Sequence, residues 1–265
     1  MRLAWITDPH FNFVREPDKV WKELAKTECD AFLVTGDISE AGHLERIFQI
    51  WASGYKPIYF VLGNHDFYGS SIRDVRDMVG RVTNGVRGDV VRYLTAKGVE
   101  KLTESTALIG DDGWYDGRNG TYYRSDVELA DFYHIRDFKD RNKRSRLHLM
   151  QKLADASADR IKGLIEKALE DKSIKNLIIA THVAPWAGAA WHMGAISDPA
   201  YLPFFSSHAM GALIEQATAD TDVQVTVLCG HSHSGGTLHV SPNVVCYTGA
   251  AEYRYPTVHQ VLDIK

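Results

Sequence analysis

The chain has 265 residues, 45% of them hydrophobic, and thirty Lys and Arg against thirty-four Asp and Glu give a formal net charge of −4. That length supports one sizeable core, and so mild a balance argues neither for nor against a charged partner. No apolar run approaches the roughly 20 residues of a membrane span, and three cysteines (Cys29, Cys229 and Cys246) exclude a disulfide framework. The sparse cysteines, without the close spacing of a structural zinc site, suit a reducing, cytoplasmic location.

The first predicted element is a strand, RLAWIT (2–7). Its apolar stretch is too short for a secretory leader and reads as the start of the mature fold. A helix comes next over DKVWKELAKTE (18–28), with Val20, Leu24 and Ala25 on one stripe. AFLVTG (31–36) is a strand, HLERIFQIWAS (43–53) a helix with Leu44, Ile47, Phe48 and Trp51 inward, and PIYFVL (57–62) a strand. This β-α-β-α-β order predicts right-handed crossovers and a parallel sheet, and the continuously apolar strands predict cover on both faces. TALIG (106–110) is a further strand. Residues 125–146 are charged and irregular, and 147–170 is a long amphipathic helix. The strands NLIIAT (176–181), VQVTVLC (223–229), NVVCYTG (243–249) and TVHQVLDI (257–264) complete the chain. Turns at Gly235-Gly236 and Pro242-Asn243 predict an antiparallel meander from 223 onward. With no repeat and no linker, residues 1–265 read as one domain with a helical insertion at about 120–172.

The residues just past the strands are chemically uniform. Asp8-Pro9-His10 comes after the first, Gly36-Asp37 after the second and Gly63-Asn64-His65-Asp66 after the third. His182 comes after NLIIAT, and Gly230-His231-Ser232-His233 after VQVTVLC. Ligands of open α/β sheets bind beyond the carboxyl ends of strands. Asp8, His10, Asp37, Asn64, His182, His231 and His233 offer oxygen and imidazole and no thiolate, which suits Mn, Fe, Zn or Ni. Seven groups are too many for one ion and enough for two sharing a carboxylate, the recurrent device for activating water against a phosphorus ester. Glycines before Asp37, Asn64 and His231 allow sharp turns and close approach.

In this order the motifs Asp-x-His, Gly-Asp, Gly-Asn-His-Asp, His and Gly-His-x-His resemble the calcineurin-like metallophosphoesterase superfamily, over residues 8 to 233. ALIGDDGWYD (107–116), LADFYHIR (129–136) and ATHVAPW (180–186) are similar to a bacterial branch of predicted phosphohydrolases, although Val183 stands where that branch often has a second His. The resemblance implies a four-layer α/β/β/α sandwich with two facing mixed sheets and an inserted helical cap. It implies one ion on Asp8, His10, Asp37 and His233 and another on Asp37, Asn64, His182 and His231. Asp37 would bridge them together with a hydroxide that attacks a phosphomonoester or phosphodiester. Asn64 would give a neutral oxygen. His65, next in the chain, would face the substrate and protonate the leaving oxygen as general acid. Asp66 either holds the His65 imidazole in its useful tautomer or caps the turn.

The residues around these motifs say less about the substrate. Asn12, Arg15, Trp114, Tyr115, Arg118 and His192 are candidates for the entrance, with surface or packing roles as the plainer reading. RDFKDRNKRSR (136–146) has six basic and two acidic residues. It reads first as a solvated loop and second as a contact for nucleic-acid phosphates. Tyr122, Tyr123, Phe132 and Tyr133 would anchor the cap. A small phosphorylated substrate is favoured over a nuclease, and both over a silent scaffold, because every ligand and His65 are present.

Overall fold

Successive side chains of a strand point to opposite faces, yet in β1 (Arg2–Ile6) Leu3, Ala4, Trp5 and Ile6 are all buried. The computed structural model, which describes residues 1–85 and 88–265, shows what lies on each side. Ala4 and Ile6 share a core with the helices α1 (Pro17–Leu24), α2 (Ala41–Ala52) and α3 (Ile72–Thr83). Leu3 and Trp5 share another with Leu108, Ile178 and Leu228 of a second sheet. β2 (Ala31–Thr35), β3 (Ile58–Val61) and β4 (Val91–Tyr93) lie parallel beside β1 in that order.

The chain then crosses to the second sheet through β5 (Glu100–Lys101) and β6 (Thr106–Gly110). A segment holding the short helix α4 (Asp131–His134) leads into α5 (Lys143–Glu170) and β7 (Asn176–Ala180). A small hairpin of β8 (Trp191–His192) and β9 (Ala195–Ile196) precedes α6 (Leu202–Phe205) and α7 (His208–Thr218). Then come β10 (Gln224–Cys229), β11 (Gly236–Ser241) and β12 (Val244–Thr248), and the second sheet has the order β11-β12-β10-β7-β6-β5. β13 (Gln260–Asp263) returns to the first sheet, antiparallel to β1. Helices thus cover the outer face of each of two stacked mixed sheets, the expected α/β/β/α sandwich. No helix among the described residues is long and apolar enough to cross a membrane.

The long helix joins two of the layers. Met150 and Ala154 pack in the core that holds Trp114, Phe132 and Phe138, and Ala158, Ile161 and Ile165 pack with Met210 and Ile214 over the second sheet. The second half of α5 is therefore the crossover between the parallel strands β6 and β7. It starts at Lys143, four residues before the expected position, with Asn142 accepting a hydrogen bond from the Ser145 backbone as its cap. The basic run is thus no plain loop: Arg146 lies in the helix, pairs with Glu128 at 2.6 Å and sits 4.5 Å over the Phe132 ring.

The end of the chain is not the predicted meander. β12 pairs in parallel with β10, and only β11 and β12 form an antiparallel hairpin. The short segment after β10 leaves at the strand's carboxyl end, so β11 must run back outside, and β12 then fills the slot beside β10 in its direction. β13 is shorter than predicted and joins the other sheet. Cys229 and Cys246 are buried free thiols 3.8 Å apart on these neighbouring strands.

The two sheets are tied at one end by Asp112, just after β6. Its buried carboxylate accepts from the Leu62 backbone at 2.9 Å, from the hydroxyls of Tyr93 and Thr95, and from two guanidinium nitrogens of Arg76 at 3.0 and 2.8 Å. All four partners belong to the first sheet, the turn after it or α3. Asp112→Ala leaves Arg76 partly buried without its counter-charge and is expected to cost about 3–5 kcal/mol, read as a lower urea midpoint. A shift worth under about 1 kcal/mol would show the clamp to be incidental.

Candidate metal centre

The carboxyl ends of β1, β2 and β3 in one sheet and of β7 and β10 in the other meet at one edge. His182, after β7, donates Nδ1–H to the Thr35 carbonyl at the end of β2, 2.8 Å away. The His231 backbone, after β10, donates to both Asp8 carboxylate oxygens after β1, at 3.0 and 3.1 Å. Glycines make this closeness possible. A Cβ on Gly63 would strike the Asp37 carboxylate, and one on Gly230 would strike Thr7 and Asp8. Gly36 has φ +87° and lies against the His182 ring.

All seven sequence-predicted ligands come together. Ligand atoms of Asp8, His10, Asp37 and His233 lie within 4.8 Å of one another, as do those of Asp37, His182 and His231. Asp37 belongs to both groups: its Oδ2 lies 3.6 Å from His10 Nε2, and its Oδ1 lies 3.3 Å from His182 Nε2. Asn64 Oδ1 is 3.1 Å from the same His182 nitrogen. Asp8, His10, Asp37 and His182 are buried, whereas the side chains of His65 and His233 are 20% and 21% exposed, so the cluster opens on their side.

The donor set fits cations. With its Nδ1–H on a carbonyl, His182 keeps Nε2, which lies against Asp37 and Asn64, as the atom that would take a cation once its own proton leaves. His231 likewise commits Nε2–H to the Phe204 carbonyl at 2.9 Å, leaving Nδ1 as its free lone pair. His10 and His233 face each other through Nε2 at 3.1 Å, and His10 Nδ1 is buried with no hydrogen-bond partner. Converging lone pairs in a buried place need a positive charge between them.

The electrostatics agree. Burial alone would lower His182, but the adjacent Asp37 outweighs it and holds this imidazole up at about 10. Burial pushes His10 down to about 4 against the pull of Asp37, and burial with the neighbouring His182 does the same to His231. Burial would raise Asp8, but its hydrogen bond and attraction to His233 bring it down to about 2. Asp37 is also held well below the usual carboxylate range, its burial outweighed by His182, His65 and His10. The carboxylates are ionised and two imidazoles neutral at neutral pH, as ligands must be.

His65 lines a cavity of about 340 Å³ beside the cluster, with Tyr68, His192, Phe205 and Tyr253 among its walls. Its backbone N–H donates to Asp37 Oδ1 at 2.9 Å, its Nε2 is 3.9 Å from Asp37 Oδ2, and its ring stacks on Tyr68 with centroids 4.3 Å apart. The expected contact from Asp66 is not formed. The Asp66 carboxylate accepts from the backbone N–H groups of Ser39 and Gly63, each at 2.8 Å, so it is turned toward the donors of two ligand-bearing loops and away from the imidazole. Burial beside Asp37 pushes this carboxyl well up. Asp66 is thus a turn residue, the second of the two expected roles.

Of the entrance candidates only His192 reaches the cavity. Trp114 and Tyr115 are buried, Arg118 pairs with Asp116 and Asp155, Asn12 bonds Glu40, and Arg15 is exposed elsewhere. Tyr122 and Phe132 are buried anchors, and Tyr123 and Tyr133 are exposed. Sequence reasoning missed Tyr253, whose ring lies 4.5 Å from that of His10, because it stands at no strand end. It also missed Asp131, although that residue lies within LADFYHIR.

Fold and site together define a class: a four-layer sandwich with a buried Asp, His and Asn cluster, shaped for two cations, at the strand ends. The sequence profile of the calcineurin-like phosphoesterases matches residues 1–235. The chain belongs to that family. A dimetal phosphatase from Danio rerio has a similar structure, with a TM-score of 0.57 and 14% identity over 97% of this chain and 89% of that one. PhoD aligns with a TM-score of 0.51 and 11% identity over 95% of this chain and 56% of that one. At such identities the likeness speaks for the fold alone. No curated protein sequence matches. Membership supports metal-dependent phosphoester hydrolysis, and with the buried cluster it supports a dinuclear centre.

In the metal-free protein at about pH 7.5, His182 carries a proton because its value lies near 10. A cation on Nε2 must displace that proton, whereas His10 and His231 are already neutral. Metal uptake is therefore expected to release at least one proton, and affinity to rise with pH until about 10. Calorimetry in two buffers of different ionisation enthalpy measures the release; none at all would contradict the assignment of His182.

Proposed function

We propose that the protein hydrolyses a small phosphoester whose organic part carries no further anionic group, using two divalent transition-metal ions. The observation that carries this reading is the pair of ligand groups sharing Asp37, with His65 facing an open cavity beside them. Mn, Fe, Zn or Ni suits the oxygen and imidazole set.

When bound, the ions acidify a water and draw electron density from the phosphoryl oxygens. The protein does the rest. Asp8, His10 and His233 would hold one ion and Asn64, His182 and His231 the other, with Asp37 common to both groups. Asn64 adds no charge, so the centre keeps a positive balance for an anionic substrate. His65 gives its proton to the departing oxygen, and its stack on Tyr68 keeps the ring turned into the cavity.

The cavity argues for the substrate class. Among the described residues, no Lys or Arg lines it. A phosphoryl group at the cluster would leave what it carries facing Tyr68, Leu129, His192, Phe205 and Tyr253. The volume suits a small molecule. Four of the six basic residues of the run already have partners within the chain, which weakens a nucleic-acid reading: Arg136 pairs with Asp74, Arg141 bonds the Asp137 carbonyl, Lys143 bonds the carbonyls of Tyr123 and Ser125, and Arg146 pairs with Glu128.

The test is a metal-stripped protein given Mn, Fe, Zn, Ni or Mg one at a time, on a phosphomonoester and a phosphodiester chromogen. His65→Ala is expected to lower kcat about 100-fold or more with metal content near wild type. Asp37→Ala is expected to lose metal and activity together. Two bound ions with no turnover of either ester would refute the reading.

A further inference from the structure

Asp131 is a buried carboxylate. It lies outside both ligand groups and has no described cationic partner. Its Oδ1 accepts from Asn64 Nδ2 at 2.9 Å and from the Tyr68 hydroxyl at 2.5 Å, and its Oδ2 accepts from the Tyr115 hydroxyl at 2.5 Å. The participants come from three distant stretches: GNHDFY after β3, GWYD after β6 and ADFYH at α4. A buried carboxylate with three neutral donors is well satisfied, and without it the three donors would themselves be left unpaired.

The arrangement acts on two functional side chains. An amide has one donor end and one acceptor end. Asp131 only accepts, so it takes the amino end of Asn64, and the carbonyl end must point the other way. There Oδ1 lies 3.1 Å from His182 Nε2. A flipped amide would set its oxygen against the carboxylate and its N–H groups against the cation. The second side chain is His65. Its ring rests on Tyr68 with centroids 4.3 Å apart and 24° between planes, and the other ring stacked on Tyr68 is His134, at 5.2 Å. The Tyr68 hydroxyl is pinned by Asp131, so the carboxylate that turns Asn64 also fixes the plane on which His65 lies.

We propose that Asp131 is a positioning residue for the hydrolytic centre, holding Asn64 in the orientation that presents oxygen to the second ion and, through Tyr68, holding His65 over the cavity. This rests on the reading of Asn64 as a ligand and of His65 as the acid.

The experiment is Mn²⁺ titration of the stripped protein by calorimetry, for wild type, Asn64→Ala, Asp131→Ala and Asp131→Asn, followed by kcat and KM on a chromogenic phosphoester at saturating Mn²⁺. Asp131→Ala is expected to weaken one of the two ions by about 10–100-fold and leave the other unchanged. At saturating metal its kcat should still be lowered, with KM little moved, because Tyr68 no longer holds the His65 ring. Asp131→Asn keeps an oxygen for Asn64 and Tyr68, and its amino group can donate to Tyr115 Oη. It is expected to stay within roughly threefold of wild type in both ions. Should Asp131→Ala not fold, Asp131→Ser, too short to reach Asn64, takes its place.

Wild-type affinity for both ions in the Ala or Ser variant would overturn the proposal. An Asn variant as weak as the Ala variant would overturn it too, by placing the effect on charge rather than on amide orientation. If Asn64→Ala also keeps both ions, the ligand reading itself fails and the proposal falls with it. If Asn64→Ala loses one ion and Asp131→Ala loses none, only the positioning role falls.

Discussion

A single carboxylate, Asp37, buried where the ends of two sheets meet, sets the terms for the rest of the site. An isolated ionised carboxylate in such a place is strongly disfavoured. Three imidazoles gather within 4 Å of it, those of His10, His65 and His182, and the His65 backbone donates to it. These partners come from both sheets, so the stacking of the sheets and the ionisation of this one group depend on each other. The same proximity accounts for the raised His182 and the geometry that two cations could share.

The backbone carries the mark of this arrangement. Among the described non-glycine residues with positive φ are Asp8 (46°), His10 (42°), Asp37 (49°), His231 (73°) and His233 (58°). Five of the seven candidate ligands therefore sit in a region that L-residues avoid, each at a cost on the order of 1–3 kcal/mol. The surrounding hydrogen bonds hold them there: Asp8 N–H to the Gly36 carbonyl, His10 N–H to the Asp37 carbonyl, and Phe11 N–H to the Ile38 carbonyl. Strain concentrated on chemically active side chains, and supported from neighbouring loops, is the signature of a site that binds something. Asn64 and His182 are absent from that set, and their side chains are steered by other means. Asn64 is turned by Asp131, and His182 is anchored to Thr35.

The loops between the sheets give the site its second half. Asp112 closes the first sheet onto the second, Asp66 joins two ligand loops through their amides, and Asp131 reaches in from α4. Each is a buried acid satisfied mainly by neutral donors or by one arginine, and of the three only Asp66 carries a sign of its role in the chain. Asp66 stands next to the most suggestive histidine, and that adjacency points to an imidazole contact. In the fold, neighbours in a tight turn point apart, and its carboxylate meets backbone amides instead.

Local pattern is enough for the continuously apolar strands and for the candidate ligands after them, because both are written in short range; it does not show the short or half-exposed strands β4, β5, β8, β9 and β11. Continuous apolar runs such as AFLVT and NLIIA can be satisfied only by cover on two faces, and a polar group directly after such a run must lie at a sheet end. That is why Asp8, His10, Asp37, Asn64, His182, His231 and His233 could be named from the chain as candidates that would converge. Direction and partnership are not short-range properties. Whether β12 runs with or against β10 depends on where β11 is placed, and the turn residues at 242–243 are the same in either case. Which hydroxyls surround Asp131, and which side of Asn64 faces the cations, depends on three segments that meet only after the sheets have stacked. The sequence alone determined the layers and the chemistry of the ligands; tertiary structure decided their orientation, because a hydrogen bond between distant segments leaves no periodicity in either one.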